Sequence, residues 1–160
     1  PVFFLESERL LSTTGHVPEE EYTIPFGKAL IRRNGADCTI ISFGRPLHFC
    51  LEAAEELAKE GIDCEIIDGR TIVPLDIDTM VDSVRKTNAC VVVDQSWSFA
   101  SIGSEIASQI HAICFEDLDN FVHRVHSDDV PVPYAHNLEQ AYLPNARKIC
   151  EAVRSATYNA

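Results

Sequence analysis

The stretch Cys38-Thr-Ile-Ile-Ser-Phe-Gly44 decides the fold: it is a short run of β-branched and apolar residues that ends at a glycine. This pattern is typical of a buried strand. Apolar residues then recur at helical spacing along one face, at Leu47, Cys50, Leu51, Ala54, Leu57 and Ala58. Gly61 stands where such a helix is expected to end. The stretch therefore predicts a strand followed by an amphipathic helix.

The same strand-then-helix pattern recurs at intervals of roughly 25 residues, the length of a crossover between parallel strands. Strands are predicted at 62–67 and 89–93, and a further one at 121–125. The helix after the second strand is expected to be capped by Asp76 or Asp78. The inner face of this helix is predicted to be formed by Ile77, Met80, Val81 and Val84. The inner face of the following helix is predicted to be formed by Ile102, Ile106, Ile110 and Ile113. A last helix is predicted at 145–156. These elements predict an α/β fold with a parallel sheet.

The first 36 residues have a different character. Val2-Phe-Phe-Leu5 is fully apolar, and we expect it to be the last strand of an upstream domain that the sequence does not contain. The polar stretch from residue 7 to residue 36 shows no sustained period and is predicted to be a linker. The domain proper is thus expected to span residues 37–160.

Composition excludes several classes of protein. The 160 residues include 13 basic and 25 acidic side chains, and a net charge of −12 argues against nucleic acid or an anionic membrane as a partner. No apolar stretch approaches the ~18–20 residues of a membrane span. The six cysteines form no CxxC pair, which indicates buried free thiols in a reducing compartment rather than a zinc or disulfide framework.

Open parallel sheets bind ligands at the carboxyl ends of their strands, here the segments 42–45, 68–71 and 94–98. None of these segments holds a dinucleotide or phosphate-binding glycine motif, and Ser96 lacks the flanking glycines of a nucleophile elbow. Asp94 is expected to accept hydrogen bonds from loop amides or to cap the next helix. Trp97 is predicted to lie on a loop, either as a hydrophobic plug or as an interface anchor. The residues themselves therefore predict no catalytic, cofactor-binding or metal site, and His123 and His126 are expected to point to opposite faces of a strand.

Several stretches follow one another at the spacing of a known family. They are 5–8, 22–29 (Tyr-Thr-Ile-Pro-Phe-Gly-Lys-Ala), 51–57, 67–76 (Ile-Asp-Gly-Arg-Thr-Ile-Val-Pro-Leu-Asp), 103–105 and 129–135 (Asp-Val-Pro-Val-Pro-Tyr-Ala). Together they resemble the C-terminal half of pyruvate dehydrogenase beta subunits, which are thiamine-diphosphate-dependent. The Arg-Thr-x-x-Pro-x-Asp and Asp-Val-Pro-x-Pro-Tyr-Ala stretches are the specific parts of this resemblance.

The resemblance implies a transketolase C-terminal domain: a three-layer α/β/α fold with a mainly parallel sheet of about five strands. It also implies that the catalytic residues lie in the upstream domain and that the alpha subunit holds the diphosphate and magnesium. The intact assembly would then bind thiamine diphosphate and magnesium, whereas this chain alone would bind neither and would be inactive. The location implied is the mitochondrial matrix, or the cytoplasm in a bacterium.

The partners implied by the resemblance are an alpha subunit, a second beta subunit and the peripheral subunit-binding domain of a lipoyl acyltransferase core. Docking to that core would use Asp119 and the terminal carboxylate of Ala160, both meeting basic residues. The subunit interface is expected to include Arg70, Trp97, Asp129 and Tyr134.

Two alternatives stay open from the sequence. The chain is also compatible with the beta subunit of a branched-chain or acetoin dehydrogenase, or with a stand-alone interaction module that has no catalytic role. Gly69 and Ser127 depart from the family's pattern. Gly69 is expected to relax the end of the preceding strand, and Ser127 to disfavour a positive φ in its loop.

Overall fold

The computed structural model describes residues 1–158 and contains one five-stranded sheet with helices on both faces. The strands are β1 (Leu30–Arg33), β2 (Cys38–Ser42), β3 (Cys64–Asp68), β4 (Cys90–Trp97) and β5 (His123–Ser127). The helices are α1 (Pro46–Lys59), α2 (Ile77–Thr87), α3 (Ile102–Ile113), α4 (His136–Tyr142) and α5 (Ala146–Ala156), with a 3₁₀ turn at Glu8–Leu10.

The sheet is mainly parallel, in the order β1-β3-β2-β4-β5. β2 lies at its centre and is paired in parallel with both β3 and β4, and β5 extends the parallel ladder beyond β4. β1 pairs antiparallel with β3 and forms the opposite edge. The predicted fold class, an α/β fold with a mainly parallel sheet of about five strands, is confirmed.

Alternation along the strands divides the core into two layers because successive strand residues point to opposite faces. Ile40 and Ile66 face the layer built by α1 and α5. Ile41 and Ile67 face the layer built by α2 and α3. The predicted inner faces of these helices are buried at most positions, including Leu57, Met80, Ile106, Ile110 and Ile149. The prediction is wrong at Ala58, Ile102 and Ile113, which are exposed because they lie in the last or first turns of α1 and α3.

A buried polar network fixes α2 to the sheet. The Thr39 hydroxyl lies 2.7 Å from both the Ser83 and the Thr87 hydroxyls. Next to it, the Glu65 carboxylate is 1% exposed and forms an ion pair with Lys86 of α2. Because buried polar groups must find partners, this network specifies where α2 lies on the sheet.

Three elements differ from the sequence prediction. Leu30–Arg33, placed in the linker, is an edge strand of the sheet, and α4 was not predicted. Trp97 is the last residue of β4 rather than a loop residue, because it pairs with Ser127 of β5 after a register shift. Val2–Leu5 pairs with no strand within residues 1–158 and is 70–89% exposed, and its assignment to the last strand of an upstream domain stays a prediction.

Candidate subunit interface and docking edge

Trp97 lies at the carboxyl edge of the sheet, half exposed at 48%. Its indole Nε1 donates to the hydroxyl of Tyr142, the last residue of α4, over 3.1 Å. Tyr142 is only 6% exposed, so the ring is held by a buried neighbour while its other face remains open. This geometry holds the indole at the surface in one orientation.

Asp94 organises the chain between β4 and α3. Its carboxylate accepts from the backbone N–H and the hydroxyl of Ser96, at 2.9 and 2.6 Å, and from the backbone N–H of Gly103, at 2.9 Å. A Cβ on Gly103 would lie 2.9 Å from the Cβ of Asp94, which explains a glycine in the first turn of α3. The prediction that Asp94 accepts backbone hydrogen bonds is confirmed, with the difference that Ser96 lies in β4 and Gly103 in the first turn of α3 rather than in a loop.

Large apolar side chains are exposed in the segments that follow β4 and β5. Tyr134 is fully exposed at 105% and Phe99 at 84%. Further members are Val130, Val132 and Leu138, each at least half exposed. We call Trp97, Phe99, Val130, Val132, Tyr134 and Leu138 the carboxyl-edge set. Asp129, which is also exposed, lies in the same segment as Tyr134.

Arg70 follows β3 at the same edge and adopts a positive φ of 53°. Its backbone N–H donates to Asp68 Oδ1 at 3.1 Å, and its Nε lies 4.0 Å from Asp68 Oδ2. The side chain is 26% exposed. Gly69 does not adopt a positive φ, so the left-handed residue at this strand end is Arg70 and not the glycine expected to relax it. Ser127 is the last residue of β5 and donates from its hydroxyl to Gln95 O at 2.7 Å.

Asp119 lies at the other, amino edge of the sheet, in the turn between α3 and β5. Its backbone N–H donates to Asn88 O at 2.9 Å, and its backbone carbonyl accepts from the Tyr158 hydroxyl at 2.6 Å. The carboxylate itself is exposed and forms no hydrogen bond or ion pair within residues 1–158. Ala160 lies outside the described residues.

A recess of about 330 Å³ adjoins Asp119, and Asp37 and Tyr158 are among the residues that line it. Two exposed aromatic side chains lie in the same part of the chain, Phe115 at 73% and Phe121 at 59%. The sequence did not indicate that these two side chains are exposed, because each lies next to an apolar segment that is predicted to be buried. The amino edge therefore combines acidic and aromatic groups.

The two predicted surfaces lie at opposite ends of the strands. Trp97 ends β4, and Arg70, Asp129 and Tyr134 follow strand ends, whereas Asp119 precedes a strand start. A five-residue strand spans roughly 15 Å, so the two edges are separated by at least the length of the sheet. Partners at the two edges would therefore not compete for the same contacts.

The described part of the chain offers neither a metal-binding cluster nor an activated cysteine thiol. Residues 1–158 contain no group of three or more His, Cys, Asp or Glu side chains arranged to hold a metal ion. All six cysteines are buried and unpaired. Burial raises the pKa of the Cys50 and Cys64 thiols to about 12, and that of Cys150 to about 11. Thiols with such pKa values are poor nucleophiles at neutral pH.

No helix within residues 1–158 is both long and apolar enough to cross a membrane.

Comparison with known proteins places these surfaces in context. The family described as "Transketolase, C-terminal domain" matches residues 27–149. The chain is 45% identical over 158 residues to the pyruvate dehydrogenase E1 component subunit beta of Rickettsia felis, covering 99% of this chain and 48% of that protein. It is 43% identical over 154 residues to the acetoin:2,6-dichlorophenolindophenol oxidoreductase subunit beta of Cupriavidus necator, covering 96% and 46%.

Among solved structures, the chain is similar to one titled "Split gene transketolase, inactive beta4 tetramer". The TM-score is 0.73 at 26% identity, covering 90% of this chain and 46% of that one. The chain spans about half the length of these two beta subunits, 48% and 46%.

Proposed function

The chain belongs to the transketolase C-terminal domain family, and from this premise we propose that it is the assembly and docking domain of a pyruvate dehydrogenase beta subunit. The similarity to the beta subunit of Rickettsia felis over 99% of this chain supports the proposal. The assembly would catalyse oxidative decarboxylation of pyruvate and acetyl transfer to lipoyl groups, on the route to acetyl-CoA. It would lie in the mitochondrial matrix, or in the cytoplasm of a bacterium.

The observation that carries the assembly role is the exposure of the carboxyl-edge set. A tyrosine at 105% exposure, such as Tyr134, gains no packing energy within its own chain. Tyr and Trp are enriched at protein interfaces, where they bury large area at low entropic cost. We infer that Trp97 and Tyr134 contact an alpha subunit or a second beta subunit, with Arg70 and Asp129 beside them.

The docking role rests on Asp119. A carboxylate without a partner inside the described residues is available to a basic group of another protein. Exposed Phe121 and Tyr158 supply apolar area in the same part of the chain. Charge complementarity of this kind speeds association and fixes orientation, which suits the basic surface proposed for the acyltransferase's peripheral subunit-binding domain.

The Asp94 carboxylate does not fit the role of a magnesium ligand. Magnesium prefers oxygen ligands, and both carboxylate oxygens of Asp94 at the carboxyl edge already accept from Ser96 and Gly103. Residues 1–158 hold no alternative cluster of metal ligands. We therefore propose that the cofactor and the metal are bound elsewhere in the assembly, and we assign this domain no catalytic residue.

A second candidate is the beta subunit of an acetoin dehydrogenase. The 43% identity to the Cupriavidus necator protein favours it almost as strongly as the 45% identity favours the first. The two candidates predict the same surfaces, so only turnover of pyruvate or acetoin by the complete assembly separates them.

Sedimentation of the chain, alone and mixed with the alpha subunit encoded by the same organism, tests the assembly role. We expect a complex that Tyr134→Ala weakens by tenfold or more, about 1.4 kcal/mol. Phe115→Ala, at an aromatic that is 73% exposed on the opposite side of the fold, is the matched control. A chain that never binds the alpha subunit but does bind the acyltransferase would instead be a stand-alone interaction module.

A further inference from the structure

Two stretches of the sequence that are more than 40 residues apart meet at the entry to β1. They are residues 27–29, which precede the strand, and residues 71–76, which join β3 to α2. The contacts between them are made by a buried carboxylate, a hydroxyl and a proline ring. We call residues 27–29 with 71–76 the clasp.

Asp76 is the centre of the clasp and is 5% exposed. Its Oδ2 accepts from the backbone N–H of Ala29 at 2.9 Å and from the Thr79 hydroxyl at 2.8 Å. Its Oδ1 lies 3.8 Å from Lys28 Nζ. One carboxylate thus joins the chain that enters β1, the loop after β3 and the first turn of α2.

A second contact closes the other end of the clasp. The backbone N–H of Gly27 donates to the Thr71 hydroxyl at 3.2 Å. Gly27 has a φ of 69°, and a Cβ there would lie 2.8 Å from Pro74 Cγ. Only a glycine allows this close approach at this backbone conformation.

The clasp therefore pins the loop after β3 at two points, Thr71 and Asp76. Between them Val73 is 87% exposed, and Arg70 precedes the first point in a left-handed conformation. A positive φ at a non-glycine residue costs energy, so the surrounding contacts must hold it.

β1 depends on contacts of this kind to stay in the sheet, because it is short and weakly buried. It has four residues, of which Ile31 and Arg32 are exposed, and its register with β3 shifts between Ile31 and Arg33. At its far end the Arg33 guanidinium lies 2.8 Å from Asp63. At its entry end the clasp ties the chain to the layer of α2.

We propose that Asp76 is a positioning residue that couples β1 to the Arg70 loop, so that the strand and the loop surface come into place together. Such coupling is reciprocal. A partner that binds the ordered loop also stabilises β1, and loss of β1 lowers the affinity of that partner for the loop. The step that involves a partner rests on the proposed function, whereas the coupling within the chain does not.

Amide hydrogen exchange on the 160-residue chain tests the coupling. Asp76→Ala removes both acceptor atoms, and Asp78→Ala removes an exposed carboxylate two residues away as the matched control. We expect Asp76→Ala to speed exchange at least tenfold both in residues 29–33 and in residues 69–73, about the effect of losing one charge-assisted hydrogen bond. Exchange at Val91–Val93 in the centre of the sheet should stay unchanged, and Asp78→Ala should alter none of the three segments.

Thr71 provides an independent variant. Thr71→Val removes the acceptor for Gly27, and we expect it to speed exchange in residues 29–33 although it lies outside β1. Thr71→Ser keeps the hydroxyl and should restore slow exchange. Asp76→Asn keeps one acceptor oxygen and should show an intermediate effect.

Two results would overturn the proposal. One is faster exchange in residues 29–33 with the 69–73 segment unchanged, since the strand and loop would then be independent. The other is a uniform increase across the sheet including Val91–Val93, since Asp76 would then support overall stability only. Neither measurement requires a partner, so failure of the proposed function would leave the coupling result intact.

Discussion

The indole Nε1 of Trp97 donates to the hydroxyl of Tyr142 over 3.1 Å, which joins the end of β4 to the end of α4. Tyr142 is buried and Trp97 is half exposed. The hydrogen bond therefore fixes a large aromatic ring at the surface, which reduces the entropy that a partner must remove when it binds.

Trp97 is the single tryptophan of the chain and reports directly on its own environment. We expect its fluorescence emission to shift to shorter wavelength when the alpha subunit binds, because the exposed 48% of the residue would leave water. Titration of the alpha subunit into the chain, followed by emission, measures this. Binding without any spectral change would place the interface away from Trp97.

Replacing Lys86 by methionine should destabilise the fold. The change leaves the Glu65 carboxylate, 1% exposed, without its ion-pair partner while the aliphatic stem is kept. We expect a loss of about 1–3 kcal/mol in the free energy of unfolding. Urea unfolding measures it.

The matched control is Lys59→Met, at the exposed end of α1, where no ion pair is formed within residues 1–158. Equal stability of the two variants would show that the Glu65–Lys86 pair contributes nothing net.

The clasp predicts a defined pH dependence. Burial alone would raise the pKa of the Asp76 carboxyl, but hydrogen bonds from Ala29 and Thr79 and the charge of Lys28 outweigh it and lower the pKa. A carboxyl with a lowered pKa adds stability above its ordinary value of 3.8, and this stability is lost as the pH falls through the lower folded value.

Urea unfolding of the natural chain and Asp76→Asn should therefore differ by a constant amount from about pH 7 to about pH 5. The difference should shrink below about pH 4. A gap that stays constant into strong acid would mean that the charge of Asp76 does not matter.

The cysteines should resist modification until the chain unfolds. All six are buried, and burial raises the pKa of each thiol, including Cys38, Cys90 and Cys114. We expect no reaction with a thiol reagent at neutral pH in the folded chain and six equivalents after denaturation. Rapid labelling of any one thiol would show local opening of its layer.

The central elements could be predicted from the sequence because the spacing of their apolar residues indicates which side chains are buried. Ile40 and Ile41 of β2, and the apolar face of α1, must be buried wherever the chain places them. The Asp94 contacts were predictable for the same reason, since a buried strand end with a carboxylate needs donors.

The elements that were missed depend on distant partners. β1 contains two arginines, and it becomes a strand only because β3, more than 30 residues later, accepts it as an antiparallel neighbour. β4 extends through Trp97 only because Ser127 pairs with it.

The residues of the two proposed surfaces came from the family resemblance and not from spacing. The structure adds exposure, which sequence cannot supply: Tyr134 and the carboxylate of Asp119 are open, whereas the side chain of Arg70 lies back toward Asp68. It also adds the clasp, because the pairing of Ala29 with Asp76 spans 47 residues.

The most direct test of the account is isothermal titration of the chain with the peripheral subunit-binding domain of the lipoyl acyltransferase from the same organism. The natural chain and Asp78→Asn should bind equally, and Asp119→Asn should bind at least tenfold more weakly, about 1.4 kcal/mol, with unchanged thermal stability. Equal affinity of Asp119→Asn and the natural chain, or no binding by either, would contradict the docking role.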